Sequence, residues 1–293
     1  PLAHWSLPAL IRQNPDKNPA VYVPDEDGSE LLEISDATMI DAIEEVRKAL
    51  AKAQPHPGKL RHWLTGGFVG LTVLLGVFWL PDALIRQTLS VVPEPKRQEI
   101  GTQMLSYMVP RTGPVCRSAR GDIAATRFAA RIFEEGTTGS IKFVPDLPQG
   151  ALALPGGLVI LDAGIPQLSD DPAATAGFIL ASRAAIENSG PLEHLLIQEG
   201  LGTTFRLLTT GKIDSTILDL NAQNLVTAQA PLPDPQTLRD MLSAAQIPHA
   251  PYIAASDRFS GNTPDLGADP LDGQPVPLIL DDSDWVALQN ICN

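Results

Sequence analysis

The stretch "GALALPGGLVILDAGIPQLSDDPAATAGFILASRAAIE", Gly150–Glu187, decides how the rest of the chain is interpreted. Two short apolar runs, Ala151–Leu154 and Leu158–Leu161, flank a Pro-Gly-Gly link, and this pattern predicts a β-hairpin. Two aspartates that suit a helix start then precede Ala173–Glu187, which is rich in Ala, Leu and Ile. The stretch therefore predicts a hairpin that leads into a buried helix.

This framework resembles the membrane-linked zinc metallopeptidases that include HtpX, the CAAX prenyl protease and the BepA-type proteases. The hallmark of that family is a hairpin reading N-A-F-A-L-P-G-G, followed by a helix reading A-G-V-L-A-H-E-x-x-H. Here Gly150–Gly157 reads GALALPGG and Ala176–Ala185 reads AGFILASRAA. The resemblance covers most of the chain from Pro81 onward. It implies an α+β fold, a mainly helical metallopeptidase-like domain with a small β-hairpin or sheet.

The chemistry of the family motif is missing from this helix. An HExxH motif places two His residues on one helix face to bind zinc, and the Glu activates the zinc-bound water as a general base. Ala181 and Ala185 occupy the two His positions, and Ser182 occupies the Glu position. A methyl group cannot bind zinc and a serine is a poor base. The resemblance therefore implies a pseudopeptidase that holds no metal and no cofactor.

No shift in register restores the zinc ligands. The nearby side chains of suitable chemistry are Glu187, Glu193, His194 and Glu199. None of them forms the His pair at i and i+4 that the motif uses. The family's third ligand is a Glu on a later helix, and its position falls in Pro231–Asp234, where only Asp234 is acidic. A later S-x-H-P motif of many relatives has Thr263 in place of its His.

Length and composition favour one sizeable domain with a smaller appendage. The chain has 293 residues and a formal net charge of −13, which argues against nucleic acid as a partner. We divide it into a small acidic head at 1–58, a membrane anchor at 59–82 and a metallopeptidase-like domain at 83–293.

The head is predicted to hold a hairpin and one amphipathic helix. Ala20–Val23 and Glu30–Ile34 flank a segment with the turn dipeptide Asp27-Gly28. A helix follows, with an apolar stripe. The stripe residues are Ile40, Ile43, Val46 and Leu50. The stripe packs within the head or, alternatively, docks on a partner.

Trp63–Leu80 is predicted to span a bilayer. Its eighteen residues carry no charge, cover about 27 Å as a helix, and have a Trp near each end. Five basic residues shortly before it and three shortly after it place the N-terminus in the cytoplasm and the large domain outside. With the resemblance, this predicts a single-pass protein of a bacterial inner membrane whose C-terminal domain is periplasmic. Gly66 and Gly70 form a GxxxG pattern on which a partner helix could pack.

The two cysteines are candidates for a disulfide. In an oxidising compartment Cys116 and Cys292 can pair and close a loop of nearly the whole large domain. The alternative is two separately buried thiols.

Our leading hypothesis is a membrane-anchored, catalytically inactive metallopeptidase-like protein. It would bind a membrane protein or membrane-protein complex as a scaffold, assembly factor or accessory subunit. Such peptidases hold substrate as a strand added to a sheet edge, which survives the loss of the metal. The candidate edge consists of Leu158, Val159, Ile160, Leu161 and Asp162. The alternatives are an active zinc peptidase with unorthodox ligands and a purely structural subunit of a membrane complex.

Overall fold

The computed structural model describes residues 5–7, 10–24, 30–53, 59–133, 139–186, 190–229, 231–261 and 263–293, with only the backbone at 53 and 59–62. The chain divides into two compact units, Pro1–Leu74 and Leu75–Asn293. In the described residues, eleven α-helices accompany two three-stranded sheets. The prediction of a mainly helical α+β fold is confirmed at this level.

The first unit contains a small sheet and a helix. Strands β1 (Ile11–Arg12), β2 (Ala20–Val23) and β3 (Leu32–Ile34) form an antiparallel sheet in that order. The predicted pairing of the second and third strands is confirmed, whereas β1 was not predicted and the Asp27-Gly28 turn lies outside the described residues. Helix α1 (Ala37–Ala53) begins after Asp36, whose carboxylate accepts a hydrogen bond from the Thr38 N–H.

Only half of the predicted stripe on α1 is covered. Ile40 and Ile43 join a small apolar cluster with the buried Tyr22, but Val46 and Leu50 are exposed. The prediction that the whole stripe packs within the head is therefore wrong for its C-terminal half.

The long apolar segment forms a bent helix pair. Helix α2 (Lys59–Phe78) contains the division between the two units, and α3 (Leu80–Val91) follows it after a bend of 43°. Among the described residues, no single helix is apolar over a sufficient length to cross a membrane, although this bent pair together meets that criterion. Within the second unit α3 packs on α7 and buries Ile85 and Thr88.

The second unit continues with helices on both sides of one small sheet. The strands are β4 (Ser140–Val144), β5 (Ala151–Leu154) and β6 (Leu158–Asp162). The helices are α4 (Glu94–Thr112), α5 (Ala119–Ile132), α6 (Pro172–Ala184), α7 (Pro191–Thr210), α8 (Ser215–Thr227), α9 (Pro235–Ala244), α10 (His249–Ser260) and α11 (Asp282–Gln289).

The order of the sheet is β4-β6-β5. The predicted hairpin pairs β5 with β6 antiparallel, with Leu154 opposite Leu158, and β4 pairs parallel with the other side of β6. Strand β6 is therefore central. The prediction that Leu158–Asp162 forms an exposed edge is wrong, because a neighbouring strand is bonded to each side of it.

Alternating residues of these strands divide the unit into two cores. One face of the sheet carries Phe143, Val159 and Leu161 into a core shared with α5, α6, α9, α10 and α11. The opposite face carries Leu152 and Ile160 into a core shared with α3, α4, α7 and α8. The result is a layer of helices, a sheet and a second layer of helices.

A disulfide joins the segment before α5 to the C-terminal segment of this unit. Cys116 lies between α4 and α5 and is bonded to Cys292 after α11, with the two Cα atoms 4.8 Å apart. The predicted pairing is confirmed.

Candidate functional site

The candidate site lies where the β5–β6 hairpin meets helices α4 and α6. Residues Pro155–Gly157 form the turn, and Gly156 adopts a left-handed conformation with φ of 75°. A Cβ at Gly156 would overlap the backbone of Gln98 in α4. The turn therefore needs glycine both for its conformation and for its contact with α4.

Helix α6 begins as its sequence predicts. The Asp171 carboxylate accepts a hydrogen bond of 2.8 Å from the Ala173 N–H, and Pro172 occupies the first turn. Nearly all the residues that follow are buried, because α6 lies in the core below the sheet.

The positions of the family motif are packed or bonded within the protein. Ala181 is 8% exposed and belongs to the core. The Ser182 hydroxyl donates to the Ile179 carbonyl oxygen at 2.8 Å, and Ala185 ends the helix. The three side chains offer a metal ion one hydroxyl, which already donates to the backbone.

Helix α10 covers the face of α6 that carries these positions. Residues 177, 181 and 185 are spaced by four and therefore share one side of the helix. A Cβ on Gly177 would overlap the Tyr252 side chain, so the absence of a side chain lets α10 approach. The Tyr252 ring also packs edge-on against Phe178, with ring centres 5.3 Å apart. Burial raises the pKa of the Tyr252 hydroxyl to about 12.

The remaining candidate ligands serve local roles. Asp234 caps α9 by accepting a hydrogen bond from the Thr237 N–H, which lowers its pKa. His194 is exposed and contacts Gln198 at 3.0 Å. Thr263 donates to the Asp257 carboxylate, and Glu187 lies outside the described residues. No group of three or more His, Cys, Asp or Glu side chains in the described part of the chain is arranged to hold a metal ion.

No protein-family model and no curated protein matches this chain at a significant level. The metallopeptidase resemblance therefore rests on the hairpin and helix residues quoted above. Membership of that family stays a prediction.

The predicted partner-binding residues fall into two groups. Leu158–Leu161 is buried in the centre of the sheet, with Ile160 inaccessible, and Asp162 is partly buried. Gly66 and Gly70 are open, because no heavy atom of the described chain lies within 4 Å of a Cβ built at either position. Of the two predicted surfaces, only the glycine pair remains accessible to another protein.

Sequence reasoning missed a groove between α4 and β4. It contains about 510 Å³ and is lined by Lys142 and Arg117 among other residues. The signal was present in "SIKFV", because alternation places Ser140 and Lys142 on one face of an otherwise apolar strand.

Proposed function

We propose that this protein is a membrane-anchored, catalytically inactive metallopeptidase-like protein that binds a protein partner as a scaffold, assembly factor or accessory subunit. The observation that supports it most is the surface of α2 and the residue after it. Large apolar side chains between Trp63 and Trp79 are 52–81% exposed. They are Trp63, Leu64, Phe68, Val69, Leu71, Val73, Leu74, Leu75, Val77, Phe78 and Trp79.

Such a surface needs an apolar environment. The exposed residues surround the helix instead of forming one stripe, so a single neighbouring protein surface would leave part of them in water. The uncharged run Trp63–Leu80, which extends from α2 across the bend to the start of α3, is about 27 Å long, close to the thickness of the hydrocarbon layer. Lipid is the environment that covers every side at once.

The disulfide and the charge bias support the orientation. A structural disulfide persists in oxidising compartments such as the bacterial periplasm. Five Lys and Arg residues shortly before Trp63, against three shortly after Leu80, favour a cytoplasmic N-terminus. The bacterial inner membrane, with the large domain in the periplasm, fits both features.

The absence of catalysis is part of the proposal. The residues at the motif positions, Ala181, Ser182 and Ala185, cannot supply zinc ligands and a base, and Ala181 is packed in the core. Binding to a partner needs neither zinc ligands nor a general base. Because β6 is central, we assign the partner contact to the face of α2 that carries Gly66 and Gly70, where small residues allow a second helix to approach closely.

Extraction from membranes tests the anchor. The full chain should stay with membranes at high salt and at alkaline pH and be released by detergent. The double variant Leu71→Arg/Leu75→Arg should be lost from the membrane fraction, because each Arg at the centre of a span costs roughly 2.5–3.5 kcal/mol of insertion. Leu232→Arg/Leu278→Arg is the matched control, since both leucines are at least 75% exposed and lie outside the helices and strands. Recovery of the unaltered chain in the soluble fraction would contradict the anchor.

Photocross-linking in membranes tests the partner contact. A photoreactive residue at Gly66 or Gly70 should label a partner protein. Phe68 is the control position, because it lies about 200° around the helix from Gly66 at 100° per residue. Equal labelling from Phe68 and the glycine positions would contradict a defined contact.

A further inference from the structure

The groove between α4 and β4 is a concavity of the second unit that is partly open to solvent. Helix α4 contributes one side through residues spaced by three and four, from Gln98 to Val109. Strand β4 contributes Ser140 and Lys142 on the sheet face that looks toward α4. Its volume of about 510 Å³ lies within the range of small-molecule sites, about 300–1,000 Å³.

The groove has the opposite charge from the chain as a whole. The chain carries a net charge of −13, yet among the described residues that line the groove Arg117 and Lys142 are the only charged ones. Neither forms an ion pair with another residue that the structure describes. A concavity lined by charges of one sign concentrates ions of the other sign. The groove is therefore suited to an anion.

The rest of the lining is partly apolar. Leu105, Val109, Val115 and Leu158 contribute aliphatic side chains, while hydroxyl groups come from α4 and β4. A ligand that fits both parts needs a charged head and an apolar body.

The backbone beside the groove favours a small molecule over a peptide strand. The outward carbonyl oxygen of Phe143 in β4 already accepts a hydrogen bond of 2.9 Å from the Cys116 N–H. The segment around Cys116 thus occupies part of the free edge of β4, and the disulfide to Cys292 holds that segment in place. An added strand would have to displace it, whereas a small ligand would not.

We propose that this groove binds a small amphipathic carboxylate. Arg117 and Lys142 contact the carboxylate, and the aliphatic side chains cover its apolar body. The site does not depend on the proposed membrane anchor or on the loss of catalysis.

Binding of 1-naphthoate to the full chain in lipid nanodiscs tests the site, with empty nanodiscs as the blank. Saturation-transfer NMR should detect 1-naphthoate on the protein, and its uncharged analogue 1-naphthamide should bind at least tenfold more weakly. Lys142→Gln and Arg117→Gln should each weaken 1-naphthoate binding about fivefold to tenfold. The effect is moderate because solvent partly screens the charge-assisted hydrogen bond between each cation and the carboxylate. Ser106→Trp, on the wall formed by α4, should block the groove.

Lys212→Gln is the matched control for charge. Lys212 is exposed and lies outside the lining, so its loss changes the net charge equally but should leave binding unchanged. The proposal is overturned if 1-naphthoate does not bind, if 1-naphthamide binds equally well, or if Lys212→Gln has the same effect as Lys142→Gln. Displacement of bound 1-naphthoate only by an acidic peptide, and not by other small carboxylates, would also overturn it.

Discussion

Gly101 of α4 lies against the carbonyl oxygen of Pro155 at the hairpin turn, so closely that a Cβ on residue 101 would overlap that oxygen. The hairpin turn and α4 are thus in direct backbone contact. This contact fixes the end of β6 relative to the helix, and with it one end of the groove, because Gly156 and Leu158 both line the groove.

Gly101→Ala should therefore destabilise the second unit. The added methyl group meets backbone atoms that cannot rotate away, and overpacking of this kind costs about 1–3 kcal/mol. The free energy of unfolding from denaturant titration measures the effect. Gly202→Ala is the matched control, because Gly202 is a helical glycine with open space around it, and alanine there should be neutral or stabilise by up to about 1 kcal/mol. Equal effects of the two variants would contradict the close contact.

Loss of the disulfide should lower stability and loosen one wall of the groove. The bond closes a loop with a sequence separation of 176, for which chain-entropy arguments give up to about 5 kcal/mol. Cys116→Ser/Cys292→Ser should unfold at lower denaturant concentration than the unaltered chain. Reductant should lower the stability of the unaltered chain and leave that of the double variant unchanged. An unaltered chain whose stability does not respond to complete reduction would contradict this role.

The cap of α11 should make stability depend on acid pH. The backbone N–H of Asp284 donates to the Asp281 carboxylate and lowers its pKa below the ordinary value near 4. The stabilisation is therefore complete above about pH 4 and is lost as the pH falls through the lowered pKa of the folded protein. Asp281→Asn keeps an oxygen acceptor for the cap but does not titrate. The stability of the unaltered chain should fall relative to Asp281→Asn below pH 4, and a rise would contradict the assignment.

Restoring the motif residues should not restore a zinc site. The triple variant Ala181→His/Ser182→Glu/Ala185→His introduces an imidazole at the core position 181, and α10 covers the face on which it would project. We expect lower stability, and no increase in melting temperature on addition of zinc. A zinc-dependent increase in melting temperature would show that the site needs only its ligands.

Local patterns predicted those features that depend on local sequence. Turn residues, a helix cap and the cysteine count predicted the β5–β6 hairpin, the start of α6 and the disulfide.

The errors arose where distant segments meet. On α5 the apolar Ile123 is exposed whereas Phe128 and Ile132 are buried, because α11 and the sheet fix which side of α5 is covered. The prediction that β6 forms an edge fails because β4 pairs with β6, although β5 lies between them in the sequence. No local signal encodes that parallel pairing. The sequence of α3 likewise gives no indication that this helix packs on α7.

The most direct test of the central claim is the zinc content of the purified full chain, measured by elemental analysis together with cleavage of casein. We expect less than stoichiometric zinc and no cleavage that a chelator abolishes. One zinc ion per chain, held by residues within 176–250 and required for chelator-sensitive cleavage, would contradict it.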